Sequence, residues 1–218
     1  MRKLLATLAV AGLVAAPAVV NAQAPKPVTG RSSSGGTMWG PFAAVNMTTA
    51  GGSDATGVSS RVGIAAGAQL QRTLAPSVFL RVAALYSMRG ADFTGGYSAK
   101  ISYIEVPVMF GYEIPMQGSR VTPYVMAGGQ LGIKVSCTVS GGGTSTDCDA
   151  AAQAAGVGKP SSTDYGFNFG AGVGFPSGSG RLMIDGRYYF GLSKALSSQD
   201  IKNRGFTIGV GYMIPLGH

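Results

Sequence analysis

Ionisable side chains are scarce in this chain of 218 residues, and many of them lie at regular positions inside apolar segments. Charged residues make up 12% of the sequence, about half of the share found in ordinary globular proteins. In apolar surroundings a charged side chain is stable only when it is paired and hydrogen-bonded, so the first chemistry to expect is ion pairing. The candidates are Arg81, Arg89, Glu105, Glu113, Lys134, Arg181, Asp185 and Arg187.

Two cysteines, Cys137 and Cys148, lie close together in the sequence. In an exported chain such a pair most simply forms a disulfide, here near the start of the longest predicted loop. The alternative is a metal site that adds Asp147 and Asp149, but the group lacks His and its spacing matches no zinc pattern. The sequence therefore predicts a disulfide, with no metal and no cofactor.

Few residues could support catalysis. The one histidine, His218, is the last residue, so a Ser-His or Cys-His pair is not expected on the loops. Paired carboxylates could serve an enzyme, but we interpret these residues as solvated rim groups: Asp92, Asp147, Asp149, Asp164 and Asp200. Basic residues of the same segments could contact phosphate groups, although a solvated role is simpler: Lys100, Lys159, Lys194, Lys202 and Arg204. The sequence favours a protein that is not an enzyme.

The first 24 residues have the pattern of a secretory signal peptide. Arg2 and Lys3 precede an apolar stretch from Leu4 to Val20, and small residues follow, which allows cleavage after Ala22 or Ala24. The alternative, a retained transmembrane helix, is disfavoured because the stretch is short and contains Gly and Pro. We predict a signal peptide over 1–24, a flexible periplasmic lead-in over 25–37 and one domain over 38–218.

That domain consists of short segments in which apolar and polar residues alternate. From Arg181 to Leu192 the even positions are apolar or aromatic, whereas Arg181, Asp185 and Arg187 are at odd positions. An Arg that faces the middle of a bilayer costs about 2–4 kcal/mol, so the odd positions must face inward. The same reasoning places Arg81, Arg89, Glu105, Glu113 and Lys134 on the inner faces of other strands.

In a soluble sandwich or lipocalin-like barrel the outward face is polar and the inward face apolar, which is the opposite arrangement. The segments are joined alternately by short turns rich in Pro or Gly and by longer polar connections, as in outer-membrane barrels. The short turns are expected near 74–77, 116–120 and 176–180, and the long loops over about 48–59, 90–100, 137–163 and 193–203. We predict an all-β, eight-stranded antiparallel up-and-down transmembrane β-barrel with both termini on the periplasmic side.

Eight strands enclose a lumen that side chains can fill. Inward glycines on the sixth and last strands leave room for long side chains from across the lumen: Gly166, Gly170, Gly172, Gly174, Gly209 and Gly211. Neutral hydrogen-bonding groups complete the inner face: Gln69, Gln130, Asn168 and Tyr189. The alternative reading of the glycines, a phosphate-binding loop, requires a following helix, and no helical pattern follows. We therefore predict a plugged interior.

The net charge of +8 does not indicate a nucleic-acid binder, because the basic residues are spread singly and form no patch. For a barrel of this kind the expected partners are outer-membrane lipids, lipopolysaccharide and the barrel-assembly machinery, and a monomer is expected. The competing function is a small-solute porin or channel, which would require the lumen charges to lie apart with water between them.

Several motifs resemble those of a known family. They are Tyr103-Ile104-Glu105-Val106-Pro107-Val108, the strand from Thr122 to Gly129, the glycine-rich strand from Tyr165 to Gly174, and Asp185-Gly186-Arg187-Tyr188-Tyr189-Phe190. Together they are similar to the outer-membrane protein β-barrel domain family of small porin-like, OmpA/OmpX-type barrels. The resemblance covers nearly the whole mature chain. It implies an eight-stranded barrel of the bacterial outer membrane with a structural or surface-interaction role and no family-wide catalytic residues.

Overall fold

The computed structural model describes residues 36–53, 55, 57–156, 160–195 and 200–216. The chain divides into two units, residues 1–31 and 32–218, and all described residues belong to the second unit. The predicted signal peptide, the lead-in up to residue 35 and His218 lie outside the described residues. No helix in the described ranges is long and apolar enough to cross a membrane.

The described residues form nine antiparallel strands and one short helix. In chain order they are β1 (Thr37–Gly51), β2 (Val58–Ala75), β3 (Val78–Phe93), β4 (Tyr97–Glu113), β5 (Thr122–Gly141), β6 (Thr144–Asp147), α1 (Cys148–Ala154), β7 (Thr163–Ser177), β8 (Gly180–Gly191) and β9 (Lys202–Leu216).

Eight of the strands close into a ring. The series runs β4-β3-β2-β1-β9-β8-β7-β5, and β4 pairs with β5 to complete it, while β6 only extends β5 as a hairpin arm. Thr37 at the start of β1 pairs with Leu216 at the end of β9, so both strand ends lie at the end that carries the short turns. The predicted eight-stranded antiparallel barrel is confirmed.

Two faces of the wall follow the sequence alternation. Along β4, Ile104, Val106, Val108 and Phe110 are exposed, whereas the alternate residues of the same strand are buried. The other strands repeat this pattern, as the exposed apolar residues of β7 and β9 show: Phe167, Phe169, Phe206, Ile208 and Val210. An exposed surface of this composition is typical of a lipid-facing wall.

The strands extend further at the long-loop end than the sequence predicted. The expected loop over 90–100 is wrong, because β3 runs to Phe93 and β4 starts at Tyr97, which leaves a three-residue turn containing Gly95 and Gly96 at positive φ. The predicted loop over 137–163 likewise contains β6 and α1. Strand segments beyond the bilayer have water on their outer face. They therefore lack the contrast between an apolar lipid-facing side and a polar inner side on which the sequence argument depended.

The β2–β3 ladder is interrupted between Ser60 and Ala65, and side chains from β1 bridge the interruption. Thr48 Oγ1 donates to the backbone oxygen of Gly90 at 2.9 Å and accepts from its backbone nitrogen at 3.0 Å. Asn46 Nδ2 donates to Ser87 Oγ at 2.9 Å. The bonds from Thr48 satisfy the backbone hydrogen-bonding groups of Gly90 on β3 at the point where the ladder with β2 is interrupted.

Candidate functional site: the lumen network and the outer end

A buried ion-pair cluster centred on Asp185 spans the lumen. Arg187 donates to both carboxylate oxygens of Asp185, with Nε at 2.7 Å from Oδ1 and Nη2 at 3.2 Å from Oδ2. Arg81 Nη1 donates to Oδ2 at 3.1 Å, and Tyr124 Oη donates to the same oxygen at 3.0 Å. One carboxylate therefore stands between two guanidinium groups, which is the pairing that buried charges require.

Arg81 is held on its remaining sides as well. Its Nε and Nη2 donate to Gln71 Oε1 at 3.1 and 2.7 Å, and its guanidinium carbon lies 5.1 Å from the ring centre of Phe79 and 5.0 Å from that of Tyr124. Only 1% of Arg81 is exposed. The guanidinium is therefore fixed between aromatic rings rather than free in a channel. The two rings belong to a buried hydrophobic cluster: Phe79, Met109, Tyr124, Met126, Met183 and Met213.

A second cluster lies farther toward the long-loop end, around Arg89. Arg89 Nε lies 2.5 Å from Glu105 Oε1, and its Nη1 lies 3.6 Å from Asp164 Oδ2. The guanidinium carbon is 4.2 Å from the ring centre of Tyr189, whose hydroxyl donates to Asp164 Oδ2 at 2.9 Å. Ser193 Oγ donates to Asp164 Oδ1 at 2.5 Å. This cluster closes the lumen a second time.

The interpretation of Asp164 as a solvated rim group is wrong, because only 4% of it is exposed. Asp164 is the second residue of β7 and lies two positions before Gly166, whose inward orientation the sequence had indicated, so the same alternation could have identified it. Gln71 and its bonds to Arg81 were also missed. Its position two residues from Gln69 on the same strand face is the signal that could have identified it.

The remaining predicted lumen residues occupy the two ends of the barrel. Arg181 Nη1 pairs with Glu113 Oε1 at the short-turn end, where both side chains are partly exposed. Lys134 Nζ lies 3.4 Å from Asp149 Oδ1 of α1, so it joins the outer loop and is not brought together with the other lumen charges. Of the neutral groups, Asn168 Nδ2 donates to Gln130 Oε1 at 2.7 Å.

The inward glycines lie where long side chains need space. A Cβ on Gly172 would lie 2.5 Å from Tyr124 Oη, one on Gly174 2.1 Å from Arg181 Nε, and one on Gly211 2.2 Å from Gln69 Nε2. These positions require glycine because side chains from other strands already fill the lumen beside them.

The outer end carries the disulfide. Cys137 of β5 and Cys148 of α1 are bonded, with a Cα–Cα distance of 5.4 Å. Asp147 caps α1, since its Oδ1 accepts from Asp149 N at 2.8 Å. Among the described residues no group of His, Cys, Asp and Glu side chains is arranged to hold a metal ion.

A closed antiparallel ring with a lipid-compatible exterior and an ion-paired interior defines an outer-membrane β-barrel. The family described as outer membrane protein beta-barrel domain matches residues 21–197, and the chain belongs to that family. The predicted localisation, the bacterial outer membrane, is confirmed by this membership.

Solved structures of small outer-membrane proteins are similar to the chain. OprG from Pseudomonas aeruginosa is 15% identical with a TM-score of 0.51, over 85% of this chain and 97% of that chain. Neisserial surface protein A is 16% identical with a TM-score of 0.49, over 79% and 95%. Ail, the attachment invasion locus protein of Yersinia pestis, is 16% identical with a TM-score of 0.45, over 81% and 98%. No curated protein sequence matches the chain. The similarity to OprG shows the shared fold alone.

Proposed function

We propose that this barrel has a structural or surface-interaction role in the outer membrane and that its lumen does not pass solutes. The observation that carries the proposal is the ion pair between Arg81 and Asp185. In the ring of eight, β3 and β8 lie four places apart and so face each other across the lumen. A bond between their side chains crosses the full width of the interior.

The other pairs add to this obstruction at different heights. Arg89 of β3 contacts Asp164 of β7, and Arg181 of β8 contacts Glu113 of β4, and in each case the two strands are three places apart in the ring. A conducting water column would have to separate oppositely charged groups that are removed from solvent, and breaking a buried pair costs several kcal/mol. An eight-stranded barrel has no spare width around them.

The proposal is tested by conductance of the purified protein in planar lipid bilayers. The wild type is expected to show no steady single-channel steps, whereas Arg81→Ala with Asp185→Ala removes the central cross-link and is expected to admit ions. The matched control is Arg61→Ala with Asp92→Ala, which removes a 2.8 Å pair that is not in the central lumen cluster and is expected to stay silent. Steady wild-type currents would instead establish the small-solute channel.

We also propose that the protein is not an enzyme, because the loop carboxylates are occupied in structural contacts. Asp92 pairs with Arg61, Asp147 caps α1 and Asp149 pairs with Lys134. Lys202 Nζ lies 3.1 Å from Asp200 Oδ1, and its hydrogen bond holds the pKa of Asp200 below the usual value. A lipid-modifying or proteolytic activity that disappears in Asp149→Asn or Asp200→Asn variants would contradict this.

Membrane lipids, lipopolysaccharide and the barrel-assembly machinery stay the predicted partners, and a monomer without nucleic-acid binding stays the predicted state. The apolar outer wall supports the lipid partners, because it requires a lipid environment, and it supports the assembly machinery, because the barrel must be inserted into the membrane.

A further inference from the structure

A cavity of about 300 Å³ lies at the outer end of the barrel, beyond the Arg89 cluster. It is bordered by the outer ends of β1, β3, β4, β5 and β9, and α1 forms one side of it. We call this cavity the outer cup. It takes no part in the ion-pair network, and nothing in the lumen function requires it.

The outer cup is apolar. Its wall includes Ala91, Phe93, Ile101, Val139, Ala152 and Ile201, and none of the described residues that line it carries a charge. This contrasts with the lumen immediately below and with the polar loops above. Ligand sites are typically concave and mostly apolar, with a few polar groups that fix orientation.

The cup has a polar floor and a covalently held side. Asn203, one of its lining residues, donates through Nδ2 to the hydroxyl of Tyr103 at 3.3 Å, and its amide oxygen is by its chemistry an acceptor. Tyr103 is buried, and Glu105 of the Arg89 cluster follows two residues later on β4. Both disulfide cysteines line the cup, so the bond between Cys137 and Cys148 holds α1 against it.

We propose that the outer cup binds a small, uncharged, mostly apolar molecule from the cell exterior. An apolar cavity of about 150 Å³ accepts benzene, so twice that volume suits roughly ten to twelve non-hydrogen atoms. The amide oxygen of Asn203, as a hydrogen-bond acceptor in the lining, favours a ligand with one hydroxyl donor. An uncharged ligand is favoured over an anion, because the described lining residues include no cation that would offset the desolvation of an anion. The ion pairs beneath make the site a dead end, so the molecule is bound and not conducted.

The test uses the full protein in lipid nanodiscs with 1-naphthol as the probe. Isoleucine methyl signals are followed during titration: Ile101 and Ile201 report on the cup, and Ile208 on the lipid face reports partitioning into the bilayer. Saturable shifts are expected at Ile101 and Ile201, with only a linear response at Ile208. The anionic analogue 1-naphthalenesulfonate is expected to give no saturable shift at Ile101 or Ile201.

Ala91→Phe fills the cup and is expected to weaken 1-naphthol binding at least tenfold. Ala84→Phe makes the same substitution on the exposed face of the same strand and is expected to change affinity less than twofold. Absence of saturable shifts in the wild type, equal binding of the sulfonate, or wild-type affinity in Ala91→Phe would each overturn the proposal. None of these outcomes depends on conductance, so the site and the sealed lumen can fail independently.

Discussion

The lumen and the outer cup are neighbours inside one wall, yet they are built in opposite ways. The lumen is charged and filled, and its Arg81, Arg187 and Asp185 are held by several bonds each. The described lining of the cup is uncharged and encloses a cavity, and a disulfide holds α1 at its side. This difference fits the two proposals: the membrane-spanning interior is filled and stabilises the wall, whereas the outer end keeps space for a ligand.

The largest expected effect is the loss of the lumen's central charge. Asp185→Asn is expected to lower the free energy of unfolding by about 3–5 kcal/mol, because Arg81 and Arg187 stay buried without a counter-ion. The measurement is a urea titration in lipid vesicles, with the folded fraction read from heat-modifiable electrophoretic migration. Asp92→Asn is the control, since its partly exposed pair is expected to contribute about 0–1 kcal/mol. A loss below about 1 kcal/mol in Asp185→Asn would show that the lumen cluster contributes no more than a partly exposed ion pair.

The disulfide gives the corresponding test of the cup. Replacing Cys137 and Cys148 by Ser removes a constraint worth about 3 kcal/mol in the loop-entropy account. A helix of seven residues is marginal without such support, so amide exchange in α1 is expected to accelerate, up to roughly a hundredfold. The membrane-spanning part of β4 serves as the internal control and should exchange as before. Unchanged exchange in α1 would show that contacts other than the disulfide hold that side of the cup.

A smaller effect is expected from added volume. Gly172→Ala places a Cβ 2.5 Å from Tyr124 Oη in the filled lumen and is expected to cost about 1–3 kcal/mol in urea unfolding. Gly129→Ala meets no atom within 4 Å and should be close to neutral. Ala91→Phe adds more atoms but enters the cup, so a change below about 1 kcal/mol is expected. If Ala91→Phe destabilised the protein more than Gly172→Ala, the cup would not be hollow.

The alternation in the sequence was sufficient to predict the wall and the inward charges, because an Arg that faces the middle of the bilayer costs about 2–4 kcal/mol. It could not predict which charges meet. Arg81 pairs with Asp185 across the ring, while Arg89 on the same strand pairs with Glu105 next to it. That choice depends on the stagger of strands that are distant in sequence, which no local pattern contains.

The outer cup also could not be predicted from the sequence. Ala91, Ala99 and Ile201 lie in segments that had been predicted as loops, and Ala152 lies on a helix that was not predicted. At the cup the apolar residues face inward and the outer face of each strand meets water, so the rule that assigns apolar residues to the outer, lipid-facing side no longer applies. The disulfide was predictable because it needs only two cysteines in an exported chain.

The central claim is that lipid covers the apolar face of each strand while the other face is sealed inside. Adjacent residues of β4 test it directly: Val108 is 39% exposed and Met109 is 1% exposed. In nanodiscs that contain a lipid with a nitroxide on its acyl chain, the methyl signals of Val108 should broaden strongly while that of Met109 persists. Equal broadening of both signals, or broadening of Met109 alone, would contradict the account.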